Sequence, residues 1–231
     1  MKHAFLLVFV IAFAMPIYGK TLEFSGLTWK IRDDGKGSPA ANFWRRDNVW
    51  LDARGQLHLT IRKVGDVWTC AELQTTDKFL YGKFSFEIIG RIDELDKNVV
   101  LGLFKYPQEN NRDGLDEIDI EFSRWGKSDN FNGLFTVYSD AKFQPEKSKN
   151  FNFALEGNRT THSFTRTPES VYFQSFHGNT TRNKLADWKF ESEHISKTPM
   201  PIYLNFWLFR GQSPSDLQDA EIIIKSVKVE N

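Results

Sequence analysis

Short apolar or alternating runs, separated by clusters of glycine, asparagine, aspartate and proline, recur along this 231-residue chain. Such runs indicate strands joined by turns, whereas an amphipathic helix needs a sustained 3.6-residue period, which the chain lacks. A short helix is predicted only near 186–194. The predicted strands are 57–62, 83–89, 99–104, 117–122, 134–138, 162–167, 171–176, 202–209 and 221–229, and the predicted turns are 32–39, 107–114, 176–180 and 210–216. The pattern predicts an all-β fold, a two-sheet antiparallel β-sandwich.

One predicted strand carries three acids at alternate positions, in the run Glu117-Ile118-Asp119-Ile120-Glu121. Successive side chains of a strand point to opposite faces, so the acids share one face and the isoleucines the other. Like charges one strand repeat apart, at about 7 Å, repel each other. The column is therefore either the polar outer face of an antiparallel strand or a functional site.

Paired carboxyl groups on one face suggest the chemistry of glycoside hydrolysis. A retaining hydrolase uses one ionised carboxylate as nucleophile and one protonated carboxyl as general acid, about 5–5.5 Å apart. A third acid between them would push a flanking glutamate toward its protonated form. On a straight strand the Cα atoms of Glu117 and Glu121 lie about 13 Å apart. The chemistry therefore requires a bent strand on which both side chains lean together.

Four sequence blocks, in order along the chain, resemble glycoside hydrolase family 16, and in particular its bacterial lichenases. The blocks are WTCAELQT (68–75), YGKFSFE (81–87), DEIDIEF (116–122) and TPMPIYLNFW (198–207). The resemblance implies a concanavalin-like jelly roll with a concave glycan-binding cleft and a retaining mechanism. It implies Glu117 as nucleophile, Asp119 as its electrostatic helper and Glu121 as general acid/base. The motif has no extra residue before its last glutamate. In this it resembles lichenases and transglycosylases rather than the bulged form of many laminarinases.

The resemblance also implies glycan contacts, which we assign to Asn48, Glu72, Asn205 and Trp207. We add Trp125, because an indole can cover the apolar face of a sugar ring. Trp207 lies two residues from Asn205 and hence on the same strand face. Most of the 21 Phe, 7 Trp and 6 Tyr must fill the core. A place in the core remains the alternative for both tryptophans.

The chain departs from the lichenase pattern at several positions that bear on substrate and stability. Leu115 replaces an aromatic residue two positions before the nucleophile, and Gln74 replaces an arginine two positions after Glu72. Lichenases pair a cysteine matching Cys70 with one whose position corresponds here to Asn42. Cys70 is the only cysteine, so we expect a buried thiol, with a reactive thiol or an intermolecular disulfide as alternatives.

No cofactor or metal is predicted. Family members often bind a structural calcium through an acid in the last strand, but residues 222–224 are apolar here. The histidines His58, His162, His177 and His194 are scattered, and the chain contains no zinc, nucleotide or serine-hydrolase motif. We expect these histidines to be structural or exposed.

The N-terminus is typical of a secretory signal peptide, with Lys2, an apolar run from Ala4 to Met15, and the small residue Gly19. Cleavage near Gly19 would leave residues 20–231 as one catalytic domain, secreted or periplasmic. The apolar run is too short to cross about 30 Å of hydrocarbon, so no membrane insertion is expected. A buried N-terminal helix or strand is the alternative.

The charge balance limits the possible partners. Without residues 1–19 the chain keeps 29 Lys+Arg, which is 30 minus Lys2, against 30 Asp+Glu, with no basic block. Nucleic acid is therefore not expected as a partner, whereas an uncharged polysaccharide is. We expect a monomer that acts as an endo-β-glucanase on β-1,3-1,4- or β-1,3-glucan. A transglycosylase on similar glycans and a non-catalytic lectin-like protein remain open.

Overall fold

The computed structural model describes residues 18–107, 116–138 and 147–230. Residues 1–17 of the predicted signal peptide lie outside this part, as do Leu115 and most of the predicted turn at 107–114. The predicted cleavage position, Gly19, falls near the start of the first strand. Among the described residues, no helix is long and apolar enough to cross a membrane.

Strands make up nearly all of the regular structure in the described part of the chain. The strands are β1 Tyr18–Phe24, β2 Leu27–Arg32, β3 Gly35–Gly37, β4 Asn42–Trp44, β5 Val49–Leu51, β6 Leu57–Val64, β7 Val67–Thr75, β8 Gly82–Ile89, β9 Val99–Lys105, β10 Ile118–Phe122, β11 Gly133–Val137, β12 Lys147–Phe151, β13 Arg159–Arg166, β14 Ser170–His177, β15 Lys184–Glu191, β16 Ile202–Leu208 and β17 Ala220–Glu230. Two short 3₁₀-helices, η1 Arg46–Asn48 and η2 Phe209–Gly211, accompany them.

These strands form a jelly-roll sandwich of two antiparallel layers. The front sheet has the order β12-β11-β10-β9-β16-β7-β2-β1. The back sheet has the order β5-β6-β17-β8-β13-β14-β15. Strand β7 joins the layers, because its first residues pair with β6 and its last residues with β16 and β2. The predicted all-β sandwich is therefore confirmed.

Every predicted strand is present, but the predicted helix near 186–194 is wrong. Most of that segment belongs to β15, which pairs with β14 at the edge of the back sheet. Trp188 stacks on Phe173 of β14, with ring centroids 5.6 Å apart. Aromatic cross-strand packing of this kind stabilises a strand, and it outweighs the weak local helix preference of the segment.

The core lies between the two sheets and contains the inward side chains of both. Ile118, Ile120 and Phe122 of β10 are buried there. His162 is also fully buried, with its ring nitrogens 2.8 Å from the hydroxyls of Ser175 and Thr160. Burial lowers the pKa of His162 to about 3, so the imidazole is neutral and structural, as expected.

Cys70 is buried, as predicted, and its neighbour is the residue that the family resemblance indicated. Its Sγ atom donates to Oδ1 of Asn42 at 3.4 Å, and Asn42 Nδ2 donates to the carbonyls of Pro39 and Leu208. Burial raises the pKa of the Cys70 thiol to about 12, which makes a reactive thiolate unavailable at neutral pH. The hydrogen bond between Cys70 and Asn42 thus links β7 to β4 at the position where the lichenase pattern has a disulfide.

Lys105 is a second unusual core residue, because its ammonium group lies inside the sandwich. Nζ donates to the carbonyls of Phe79, at 2.7 Å, and Leu80, at 3.4 Å, and lies 4.1 Å from the centre of the Phe84 ring. Burial, and then the charge of Arg166, lower the pKa of Lys105 to about 6. The folded chain therefore disfavours the protonated form that the unfolded chain carries at neutral pH.

Replacing Lys105 with methionine should stabilise the fold at neutral pH. Between about pH 6 and 10.5 the unfolded state binds the Lys105 proton more readily than the folded state, so wild-type stability rises with pH there. We expect Lys105→Met to raise the free energy of unfolding at pH 7 by about 1–3 kcal/mol, since the two lost hydrogen bonds offset part of the gain. The gain should shrink toward pH 10.

Urea titrations at pH 7 and pH 9.5 measure this effect. Lys228→Met, on an exposed position of β17, is the matched control and should change stability little. A Lys105→Met variant that is destabilised equally at both pH values would contradict the argument.

Candidate active site

The three acids lie along β10, at the outward face of the front sheet. Asp119 and Glu121 alternate with Ile118 and Ile120, whose side chains are buried in the core. Glu117 directly precedes the strand, and its carbonyl accepts a hydrogen bond of 2.9 Å from the Tyr138 amide. The register of β10 against β9 is continuous from Ile118 to Phe122, so the motif contains no bulge.

A row of polar residues crosses four strands level with Glu121. In the register of the sheet, Glu121 lies opposite Gly102 of β9, Gly102 opposite Asn205 of β16, and Asn205 opposite Glu72 of β7. Residues directly opposite each other share a face, and neighbouring strands are about 4.8 Å apart. Glu121 and Asn205 are thus about 10 Å apart across the sheet, with the glycine between them.

Gly102 is required by the position of Asn205. A Cβ atom at residue 102 would lie 2.3 Å from Asn205 Oδ1, so the amide group occupies the space that a side chain would take. Asn205 Oδ1 is buried and has no hydrogen-bond partner among the described residues. A buried acceptor without a donor carries a desolvation cost, which a bound hydroxyl group would remove.

A second row, level with Asp119, is largely aromatic. Asp119 lies opposite Phe104, Phe104 opposite Tyr203, and Tyr203 opposite Gln74. The Phe104 and Tyr203 rings are stacked, with centroids 4.9 Å apart and planes 18° apart. Tyr106 meets Tyr203 edge-on at 6.3 Å. Burial, and then the charge of Glu117, raise the pKa of the Tyr106 phenol.

This face is recessed. Asp119 is only 4% exposed and Gln74 only 2%, although both point away from the core between the sheets. Side chains on a flat outer face would be open to solvent, so their burial indicates a cleft on the front sheet. Gln74, like Asn205, has a buried side-chain oxygen without a partner among the described residues.

The cleft ends at a buried ion pair. Arg32 Nη1 lies 3.1 Å from Glu72 Oε1 and donates to the Ser38 carbonyl at 2.9 Å. The guanidinium carbon lies 4.2 Å from the centre of the Trp44 ring. The arginine that the lichenase pattern places at position 74 is absent, but a guanidinium contacts Glu72 from the adjacent strand β2. Removing Glu72 would take the carboxylate partner from a buried guanidinium, which is costly.

The remaining predicted contacts differ in their positions. Trp207 is buried on β16, two residues after Asn205. Trp125 is half-buried in the turn after β10, edge-on to Phe209 at 5.6 Å. Asn48 is fully buried in η1. Its Nδ2 donates hydrogen bonds to Thr69 Oγ1 and the Cys70 carbonyl, and its Oδ1 accepts one from Arg62 Nε. Both polar atoms of the Asn48 side chain are therefore bonded within the fold and are not presented to the cleft.

The sequence analysis missed Gly102, Phe104, Tyr106, Tyr203 and Arg32. A glycine inside a strand pattern can mark a close approach of another group, which is the signal that Gly102 offered. Phe104 ends the predicted strand 99–104 and Tyr106 follows two residues later, the spacing of side chains that share a face in extended chain. No sequence signal could show that Arg32 lies beside Glu72, because that contact depends on the pairing of β2 with β7.

The last strand offers no side-chain ligands for a structural calcium at residues 222–224. Calcium binds oxygen ligands, and residues 222–224 offer no side-chain oxygen. Ile222 and Ile224 are instead buried in the core. Among the described residues, no group of three or more histidines, cysteines or acids could hold a metal ion.

Comparison with known families agrees with the geometry of the cleft. The model of the glycosyl hydrolases family 16 matches residues 37–222, which is most of the chain. This chain belongs to glycosyl hydrolase family 16. The resemblance seen in the four sequence blocks is therefore confirmed, whereas no curated protein matches the sequence itself.

Solved structures similar to this family 16 chain share its fold at low sequence identity. A Bacillus licheniformis β-glucanase is 21% identical, with 94% of this chain and 99% of that chain covered and a TM-score of 0.68. A laminarinase from Flavobacterium sp. UMI-01 is 17% identical, with 88% and 93% covered and a TM-score of 0.66. A pseudo β-1,3-glucanase of Mycobacterium tuberculosis is 16% identical, with 88% and 90% covered and a TM-score of 0.65.

Replacing Gly102 with alanine should displace Asn205 from the cleft. The new Cβ would overlap Asn205 Oδ1, and the amide would have to leave its place between Glu121 and Glu72. If Asn205 contacts glycan, we expect affinity for a mixed-linkage glucan oligosaccharide to fall about tenfold, the equivalent of one hydrogen bond.

Calorimetric titration of wild type and Gly102→Ala measures the affinity. Gly157→Ala is the control, since nothing lies near its Cβ position and its φ is not in the left-handed region. Equal affinities in wild type and Gly102→Ala would show that Asn205 does not contact the glycan.

Proposed function

We propose that this family 16 chain is an exported endo-acting β-glucan hydrolase with a retaining mechanism. The observation that carries the proposal is the placement of Asp119 and Glu121 on a recessed face, with Glu117 directly before their strand. The family assignment supports a glycan as the substrate class. The N-terminal sequence pattern supports export.

In the first step, Glu117 acts as the nucleophile. Its carboxylate attacks the anomeric carbon of the sugar, the bond to the leaving oxygen breaks, and the carboxyl group of Glu121 donates its proton to that oxygen. The product is a glycosyl ester on Glu117 and a shortened glycan. The mechanism requires the two side chains to lean together, because their Cα atoms are about 13 Å apart in a strand.

In the second step, water hydrolyses the glycosyl ester on Glu117. Glu121, now ionised, takes a proton from the water as its oxygen attacks the anomeric carbon, and the bond to Glu117 breaks. Two inversions retain the configuration of the sugar. Both glutamates return to their starting protonation states, so the cycle is balanced.

Asp119 lies between these two residues, with its carboxyl group buried. A negative charge there would raise the energy of ionising a second carboxyl nearby, which favours the protonated form of the acid catalyst. Desolvation strengthens this effect, because charges interact more strongly when water is excluded.

The rest of the cleft is suited to a neutral glycan. Phe104 and Tyr203 provide an aromatic surface, and Asn205 and Gln74 offer oxygen acceptors to sugar hydroxyls. Polar and aromatic groups extend from β10 to β7, about 14 Å across three strand spacings. A site of this width on one sheet face suits internal segments of a polysaccharide, which supports endo-action.

Glu117→Gln should abolish turnover, because an amide cannot act as the nucleophile. We expect wild type to release reducing ends from mixed-linkage or β-1,3-glucan, and kcat to fall by at least about 10³-fold in the variant. Glu169→Gln, at an exposed position between β13 and β14, is the matched control and should retain wild-type activity.

The measurement also separates the alternatives. Equal activity in wild type and Glu117→Gln would refute the nucleophile. Calorimetric binding without any product in the wild type would indicate a lectin-like protein. Longer products in the presence of excess acceptor oligosaccharide would indicate a transglycosylase.

The acid/base role of Glu121 can be tested by measuring whether azide restores turnover in a Glu121→Ala variant. With Glu121→Ala and an aryl glycoside whose leaving group needs no protonation, the first step should proceed and the ester should accumulate. Added azide needs no general base, so it should raise the turnover of Glu121→Ala severalfold and give a glycosyl azide of retained configuration. Failure of azide to accelerate this variant would argue against Glu121 as the acid/base.

A further inference from the structure

A buried arginine lies behind the catalytic strand. Arg166 ends β13 in the back sheet, and it is only 1% exposed. Its guanidinium donates from Nη1 to the Thr198 carbonyl at 3.2 Å and from Nη2 to the Ser196 carbonyl. These bonds fix the guanidinium to the segment that leads into β16. Its Nε has no hydrogen-bond partner among the described residues.

Asp116, the residue before Glu117, lines the same small cavity as Arg166. Burial lowers the pKa of Arg166, and the charge of Asp116 acts in the opposite direction. Both residues line a cavity of about 10 Å³, together with Ile118, Tyr138 and Ser196. Val137, Val171 and Ile195 complete the lining, so the guanidinium and the carboxyl group lie in largely apolar surroundings.

The cavity also adjoins the backbone that carries the proposed nucleophile. Tyr138 lines it, and the Tyr138 amide donates to the Glu117 carbonyl at 2.9 Å. Ile118, on the other side of Glu117, lines the cavity as well. The guanidinium from the back sheet therefore shares a small cavity with Asp116, Ile118 and Tyr138, which flank residue 117 or bond its carbonyl.

We propose that Arg166 is a positioning residue, which acts through Asp116 to hold the start of β10 and so the Glu117 carboxylate in place for attack. This rests on the proposed function, in which Glu117 is the nucleophile. Arg166 does not touch the glycan, since it lies on the core side of the front sheet.

A purely structural role explains the arginine less well. An apolar side chain of similar volume would fill the space between the sheets without the cost of desolvating a charge. Lys105, a second buried basic residue between the sheets, donates to the carbonyls of Phe79 and Leu80 instead, so the two side chains bond different backbone segments. Arg166 is the one that shares a cavity with Asp116, the residue preceding the nucleophile.

A kinetic double-mutant cycle tests the proposal. We expect Arg166→Met and Asp116→Asn each to lower kcat on β-glucan about 10- to 100-fold, because a small displacement of a reacting group is costly. KM should stay within about twofold, since Glu72, Asn205 and Trp207 lie on other strands. The double variant should be no slower than the slower single variant. Arg166→Lys, which keeps the charge but not the planar fork, should recover part of the loss.

Lys105→Met is the matched control, because it removes a buried basic side chain that bonds Phe79 and Leu80 rather than lining the cavity of Asp116, and it should keep kcat. Thermal unfolding of the same cycle gives a readout that needs no turnover: the changes in Tm of the two single variants should not add in the double variant. Wild-type kcat in a folded Arg166→Met variant, or losses that multiply in the double variant, would overturn the positioning role. A wild type without turnover would instead refute the proposed function, and the positioning role with it.

Discussion

The alternation of β10 is the constraint on which the rest of the structure depends. Ile118, Ile120 and Phe122 are buried between the sheets, and this burial directs Asp119 and Glu121 to the opposite face. Shifting the register by one residue would move the acids into the core, at a cost of several kcal/mol for each buried charge. The hydrophobic effect that stabilises the sandwich therefore also fixes the direction of the carboxylates.

The cleft is assembled by strand pairing between segments that are distant in sequence. Residues 72–74, 102–104, 119–121 and 203–205 become neighbours only because β7, β16, β9 and β10 lie side by side. Alternation within one strand identified three acids on one face, and the family resemblance supplied their expected roles. The pairing order is a tertiary property, so the Phe104–Tyr203 stack and the Arg32–Glu72 pair could not be predicted from local pattern. Asn48 shows the converse, since its sequence position matched the family while its amide is bonded within the fold.

Local pattern also failed where strands are short or polar. The 3-residue strands β3, β4 and β5 are too short to display a period, and β12 is exposed along most of its length. The segment that forms β15 combines charges with Trp188 and Phe190, and its conformation depends on pairing with β14. The burial of Cys70 was predicted correctly, because a single cysteine has no partner in the chain for a disulfide. Asn42, at the position of the lichenase partner cysteine, instead accepts a hydrogen bond from the thiol.

Two buried basic residues between the sheets, Lys105 and Arg166, place a desolvation cost at one end of the sandwich. Lys105 lies opposite Ile118 and Ile202, and Arg166 lines a cavity with Asp116, so both side chains are near the start of β10. Their desolvation opposes folding, and each offsets part of that cost through bonds to backbone carbonyls. An apolar side chain would avoid this cost at either position, but at position 166 it would also remove the bonds to the carbonyls of Ser196 and Thr198. The opposite end of β10 is held by packing and turn hydrogen bonds around Trp125. The desolvation cost thus falls at the end of β10 that follows Glu117, the proposed nucleophile.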